Sequence, residues 1–122
     1  MKTVVVYAIV GGVLLASSAS AHHSFAMFDN KTEKTITGTL KELQWTNPHI
    51  WVQVMAKDPA TGKEVEWSIE GGSPNGLARR GWSRNMMKAG DKLTVVIHPL
   101  KNGEPGGSLT KLTVNGKTVG GP

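Results

Sequence analysis

The chain of 122 residues contains no cysteine. Disulfide bonds, thiolate metal ligands and a cysteine nucleophile are therefore excluded, and stability must come from an apolar core, helped at most by a bound ion or partner. Aromatic residues make up only 6% of the chain, and histidine occurs four times. Because so few imidazoles and aromatic rings are present, their positions carry most of the functional information.

The longest apolar run, residues 4–16, is shorter than the roughly 20 residues that a membrane-spanning helix needs. It follows Lys2 and precedes Ala19-Ser20-Ala21, the small-x-small pattern that signal peptidase accepts. We therefore predict that residues 1–21 are a signal peptide and that the mature protein is periplasmic or secreted. A retained anchor is the less favoured alternative, so we expect no stable membrane anchor after cleavage.

Charge gives little support for a nucleic-acid partner. Removal of Lys2 lowers the formal net charge from +5 to +4. Apart from Arg79, Arg80 and Arg84, the basic residues are spread along the chain. A nucleic-acid-binding protein usually concentrates its positive charge in one patch, so we expect no nucleic acid as a partner.

Five segments have the alternating or β-branched composition of strands. They are residues 35–45, 49–56, 64–70, 92–100 and 108–119. A register change before Leu43 predicts a bulge in the first strand. In the third strand, alternation places Ile69 inward and Glu70 outward, and Asn115-Gly116 favours a small hairpin turn near the end of the fifth.

Between the third and fourth strands, Ser73 followed by Pro74 is typical of a helix start, and Gly81 is a plausible end. A second helical piece is expected over residues 83–88. Three strands, a helical connection and two strands is the order of an OB-type barrel, with a small open sandwich as the alternative. We therefore predict an N-terminal arm, residues 22–34, followed by a single mainly β domain, residues 35–122.

Two adjacent histidines follow the expected cleavage site. Cleavage after Ala21 would make His22 the first residue, so that its α-amine and imidazole Nδ1 could chelate one ion. Cleavage after Ala19 would place His22 third, where the amine, two amides and the imidazole can enclose Cu(II) or Ni(II) in a plane. Imidazole suits copper, nickel and zinc, and a square set of nitrogens favours copper. Alternatively, both His22 and His23 are solvated and bind nothing.

His49 is a candidate third ligand, because it follows Asn47-Pro48 and lies between Trp45 and Trp51. The same position also suits a half-buried histidine that bonds to a backbone carbonyl. Met27 is a further, weak candidate ligand. His98 has the pattern of a surface residue, and no serine-hydrolase motif is present, so enzymatic hydrolysis is disfavoured. An oxidase or monooxygenase that uses a terminal-histidine copper site is a less favoured alternative, because the sequence shows neither an open coordination position nor a substrate surface.

The motifs "AHHSF", "GTLKELQWTNPHIW", "EGGSPNGLARRGW" and "KAGDKLTV" together resemble a family of small exported bacterial proteins of unknown function. The resemblance implies that His22, His23 and His49 occupy the family's histidine positions, whereas His98 does not. It also implies that the following residues match family motifs: Trp45, Asn47, Trp51, Glu70, Arg79, Arg80 and Trp82. The resemblance does not imply any established activity.

The sequence therefore supports two hypotheses. The first is an exported periplasmic metal-binding protein, with copper as the ion and zinc or nickel as alternatives, whose ligands are His22, His23 and His49, with Met27 as an extra. The second is a metal-independent OB-like module that binds a small anionic ligand or a periplasmic partner protein. Its contacts would come from Trp45, Asn47, Trp51, Glu70, Arg79, Arg80 and Trp82.

The cleavage prediction can be checked on the exported protein. Intact-mass spectrometry should give the mass of a chain that begins at His22, or at Ser20 if the peptidase cuts after Ala19. A mass that includes residues 1–19 would contradict the prediction of a signal peptide.

Overall fold

The computed structural model describes residues 25–121. In this range the chain forms six strands and one short helix, after a 3₁₀ turn at Phe25–Met27. The strands are β1 (Lys34–Gln44), β2 (Trp51–Lys57), β3 (Glu64–Glu70), β4 (Lys92–Pro99), β5 (Gly106–Val114) and β6 (Lys117–Thr118), and the helix is α1 (Pro74–Ala78). Within these residues no helix has the length and apolar character needed to cross a membrane.

The first five strands close into a barrel. Antiparallel pairs join β1 to β2, β2 to β3, β1 to β4, and β4 to β5. A short parallel pairing then joins β3 to β5, with Ser68, Ile69 and Glu70 opposite residues 106–108. This last pairing confirms the expected barrel and excludes the open sandwich, and α1 lies between β3 and β4 as predicted.

The barrel interior contains the inward residues of each strand. Ile50, Val52 and Val54 are fully buried, and so are Val95 and Ile97 on β4. Burying an aliphatic side chain of this size contributes about 1.5–3 kcal/mol. The alternation that predicted β2 and β4 is therefore confirmed, because every second residue lies in one core.

β1 bends strongly as it passes from β4 to β2. Its register against β2 shifts between Leu40 and Glu42, which confirms the predicted bulge. Just before the bulge, a Cβ atom on Gly38 would overlap the backbone carbonyl oxygen of Met55. The two strands can approach this closely because Gly38 has no side chain.

The connection between β3 and β4 is only partly as expected. Ser73 caps α1, since its Oγ accepts a hydrogen bond from the N–H of Gly76 at 3.2 Å. The helix ends at Ala78, and the second helical piece predicted over residues 83–88 is wrong, because this segment forms turns. Asp91 Oδ2 accepts the N–H of Lys88 at 2.9 Å, a local bond that competes with helix formation.

Other boundaries differ by a few residues. β2 begins at Trp51 rather than at His49, and β5 begins at Gly106 rather than two residues later. The predicted turn at Asn115 and Gly116 is confirmed: both have positive φ values, 49° and 83°, and they connect β5 to β6.

Replacing Gly38 with alanine should destabilise the barrel by about 1–3 kcal/mol, because the new methyl group meets a backbone oxygen that cannot move alone. Urea unfolding followed by tryptophan fluorescence measures the change. Gly121 is not among the glycines with positive φ, and nothing lies within 4 Å of the site of a Cβ atom there. Gly121→Ala is therefore the control, and equal stability of the two variants would contradict this account of the β1–β2 contact.

Candidate functional site

His49 and Glu70 form a side-chain pair at one end of the β2–β3 hairpin. The His49 Nδ1 and Glu70 Oε1 atoms are 2.5 Å apart. His49 follows the cis Asn47–Pro48 peptide bond and precedes β2 by two residues. Because side chains alternate along a strand, His49 and Trp51 share a face, and Trp51 pairs with Glu70 in the ladder.

The prediction that Glu70 faces solvent is wrong, since only 7% of its surface is exposed. Alternation along β3 does place it on the face opposite to the buried Ile69. On that outer face, however, Glu70 lines a cavity together with the arm residues Met27 and Phe28 and with Leu100 and Glu104. The end of β3 therefore has the barrel core on one side and the arm on the other.

Only one of the two carboxylate oxygens of Glu70 has a hydrogen-bond partner. Its Oε1 atom contacts His49, but its Oε2 atom is buried without a hydrogen-bond partner. An unpaired buried acceptor costs about 1–3 kcal/mol. Because a buried acceptor without a partner is uncommon in folded proteins, the pair is a candidate functional site.

A cavity of about 440 Å³, here called the Glu70 cavity, lies beside this pair. Its lining includes the carboxylates of Glu70 and Glu104, and no lysine, arginine or histidine among the described residues. Trp51, Phe28 and Met27 give it an aromatic and apolar wall. The cavity therefore combines negative charge with apolar surface, and it lies where the N-terminal arm meets the barrel.

Backbone hydrogen bonds hold the arm in this position. The Asp29 N–H donates to the Pro99 carbonyl at 2.8 Å, and the Lys101 N–H donates to the Met27 carbonyl at 3.0 Å. The Thr32 hydroxyl and the Lys31 N–H donate to the Asp29 carboxylate and lower its pKa below the ordinary value of 3.8. Phe28 of the arm is 5% exposed and forms a β-bridge with Leu100.

A second cavity, of about 450 Å³ and here called the Trp67 cavity, opens between the first half of β1 and the end of β2. Lys34 Nζ lies 4.8 Å from the centre of the Trp67 ring, a cation–π contact. Lys57 and Asp58 also line the cavity. Trp67 is on the same face of β3 as Ile69 and packs partly buried against the core.

Comparison with known proteins identifies the family. A family model described as a family of unknown function (DUF6152) matches residues 12–110. The chain belongs to this family. Neither the curated proteins nor the solved structures with which it was compared include a match.

Within this member of the family, the predicted metal ligands divide into two groups. His22 and His23 lie outside the described residues. His49 contacts Glu70, and its side chain is 43% exposed. Met27 is 37% exposed and lines the Glu70 cavity. Residues 25–121 contain no cluster of three histidine, aspartate or glutamate side chains that could hold an ion on its own.

The residues predicted to form a ligand surface do not all lie together. Trp51 and Glu70 line the Glu70 cavity, and Trp45 packs partly buried against the core. Trp82 is 2% exposed and its Nε1 donates to the Gly120 carbonyl at 2.9 Å, so its ring is part of the core.

The other members of this set, Asn47, Arg79 and Arg80, are exposed, and none of them lines either cavity. His98, which was expected to be a surface residue, is partly exposed and its Nδ1 contacts the Thr32 carbonyl at 3.0 Å. It is therefore separate in its contacts from the His49 pair.

Proposed function

We propose that this protein is an exported, periplasmic metal-binding protein and that copper is its ion. The centre consists of the processed N-terminus and His49. His22 supplies its α-amine and imidazole, His23 and His49 supply further imidazole nitrogens, and Met27 is a weak additional ligand. Export is supported by the signal-peptide pattern of residues 1–21.

The observation that carries this proposal is the convergence of the arm and the His49 pair. Met27 and Glu70 line the same cavity, and Glu70 contacts His49 directly. His22 and His23 precede Met27 by five and four residues. Since one residue spans at most about 3.6 Å, both histidines are tethered within about 18 Å of Met27, which lines the cavity beside the His49 pair.

The chemistry of the donors favours copper. Two imidazoles and a chelating amine–imidazole pair form a nitrogen-rich set, which suits the tetragonal geometry of Cu(II). The exposed thioether of Met27 is a soft donor, the type that Cu(I) prefers. Zinc and nickel accept the same nitrogens, so they are competing ions in this proposal.

The proposed centre depends on processing, because it requires a free α-amine. Among residues 25–121, His49 and Glu70 form a pair and no larger cluster. An imidazole by itself would hold copper weakly, whereas a chelating terminus would raise the affinity. Copper binding should therefore be strong only after the signal peptide has been removed.

Titration of the processed protein with Cu(II), followed by EPR, tests the proposal. One equivalent should give a bound spectrum with nitrogen hyperfine splitting, and His49→Ala should weaken binding at least tenfold because one nitrogen ligand is lost. His98→Ala is the matched control, since His98 contacts a backbone carbonyl instead.

A second variant tests the role of the terminus. One extra residue placed before the first residue of the processed chain changes the position of the α-amine and should weaken binding as well. No bound spectrum at one equivalent of copper, or equal losses in His49→Ala and His98→Ala, would overturn the proposed centre.

A metal-independent function in binding a small anion is the second candidate, and the Trp67 cavity supports it. Lys34 and Lys57 line this cavity, and neither forms an ion pair with a carboxylate among the described residues. Trp67 adds an apolar surface, over which Lys34 Nζ lies 4.8 Å from the ring centre. The matching ligand is an aromatic carboxylate, whose charge meets the lysines while its ring contacts the apolar lining, which includes Ile36 and Val65.

Calorimetry with 1-naphthoate in the presence of a chelator tests this candidate. Lys34→Gln should weaken binding about two- to fivefold, the range expected for one exposed charge contact. Lys111→Gln, an exposed lysine on β5 that does not line the cavity, is the control. Absence of binding, or equal affinity of the two variants, would exclude the anion site.

A further inference from the structure

The contact between His49 and Glu70 determines which imidazole nitrogen is available. The Nδ1 atom faces Glu70 Oε1 at 2.5 Å. An ionised carboxylate only accepts hydrogen bonds, so a neutral imidazole in this contact must carry its hydrogen on Nδ1. We infer that Glu70 is a positioning residue that fixes His49 as the Nδ1-protonated tautomer and thereby presents Nε2 as the metal donor.

The opposite side of the ring is open. No hydrogen bond from Nε2 to any described residue is present, and the His49 side chain is 43% exposed. In the Nδ1-protonated tautomer, Nε2 has a free lone pair. The nitrogen that can bind an ion is therefore the one without a hydrogen-bond partner among the described residues, on a side chain that solvent reaches.

Glu70 is suited to fix the ring because it is itself held rigidly. It is 7% exposed, it pairs with Trp51 in the β2–β3 ladder, and it ends the parallel pairing with β5 opposite Ser108. The backbone after His49 is held as well, since the Ile50 N–H donates to the Gly72 carbonyl at 2.9 Å. Both partners thus have fixed positions before any ion arrives, which lowers the cost of binding.

In this geometry Glu70 orients His49 and is not itself a ligand of the ion. The two nitrogens point to opposite sides of the imidazole ring, so an ion on Nε2 lies away from Glu70 Oε1. A carboxylate that accepts the second N–H of a ligating histidine orients the ring and increases its basicity, and its loss usually weakens metal binding about 10- to 100-fold. Glu70 therefore acts on the ion through His49.

The role of Glu70 in metal binding rests on the proposed function, whereas the tautomer of His49 is a property of the metal-free protein. Its first test is a ¹⁵N–¹H correlation spectrum of the histidine rings in the processed, metal-free protein at pH 8. His49 should show a protonated Nδ1 and an unprotonated Nε2. In Glu70→Met the ring should revert towards the Nε2-protonated form that free histidine prefers.

Glu64→Gln is the matched control, because Glu64 is an exposed carboxylate on the same strand. It should leave the His49 spectrum unchanged, and Glu70→Gln, whose amide oxygen can still accept the Nδ1 hydrogen, should show an intermediate effect. Backbone amide spectra check that each variant is folded. An Nε2-protonated or doubly protonated His49 in the wild type, or an unchanged tautomer in Glu70→Met, would overturn the inference.

Copper binding provides the second readout. Glu70→Met should weaken Cu(II) binding about 10- to 100-fold and change the electron spin echo signal of the remote ring nitrogen, whereas Glu64→Gln should change neither. If the tautomer is as inferred but copper does not bind, the positioning role of Glu70 stands and the proposed function fails. If copper binds tightly and Glu70→Met binds it equally well, the proposed function stands and the role of Glu70 is wrong.

Discussion

The short parallel pairing between β3 and β5 is the contact on which both the fold and the candidate site depend. It joins only residues 68–70 to residues 106–108, yet without it the five strands would form an open sheet. The close approach requires a strand without side chains at its start. A Cβ atom on Gly107 would lie 2.5 Å from the His98 carbonyl oxygen, and one on Gly106 would lie 2.9 Å from the Ser68 carbonyl oxygen. Because Glu70 is the last residue of this pairing, barrel closure also fixes the carboxylate that holds His49.

The candidate site combines parts with different structural origins. His49 and Glu70 are supplied by the barrel, whereas His22 and His23 would be supplied by the N-terminus of the processed chain under the proposed function. Met27 connects these parts, since it lines the Glu70 cavity and its carbonyl is bound by the N–H of Lys101. Under the proposed function, the barrel provides one preorganised nitrogen ligand, and the processed arm provides the remaining metal ligands.

Much of the fold was predictable, because periodicity reports burial directly where one face of a strand is covered. Residues of β2 and β4 alternate as expected, and the bulge in β1 was visible as a change of register. Glu70 was placed wrongly because periodicity records only one covered face, whereas the arm covers the second face there. The turns over residues 83–88 were not predicted, for a related reason. Met87 is buried by tertiary packing, and in the sequence an apolar residue at this position suggests the buried face of a helix. His49 was recognised as a candidate, but its carboxylate partner is 21 residues away and depends on strand register.

The most direct test of the account is a crystal structure of the processed protein with one equivalent of Cu(II), with diffraction data collected at the copper absorption edge. The account predicts one anomalous peak within bonding distance of His49 Nε2, with nitrogens of the N-terminal histidines around it and the Glu70 carboxylate on the far side of the ring. A peak at another position with His49 unligated, or no peak at full copper loading, would contradict it.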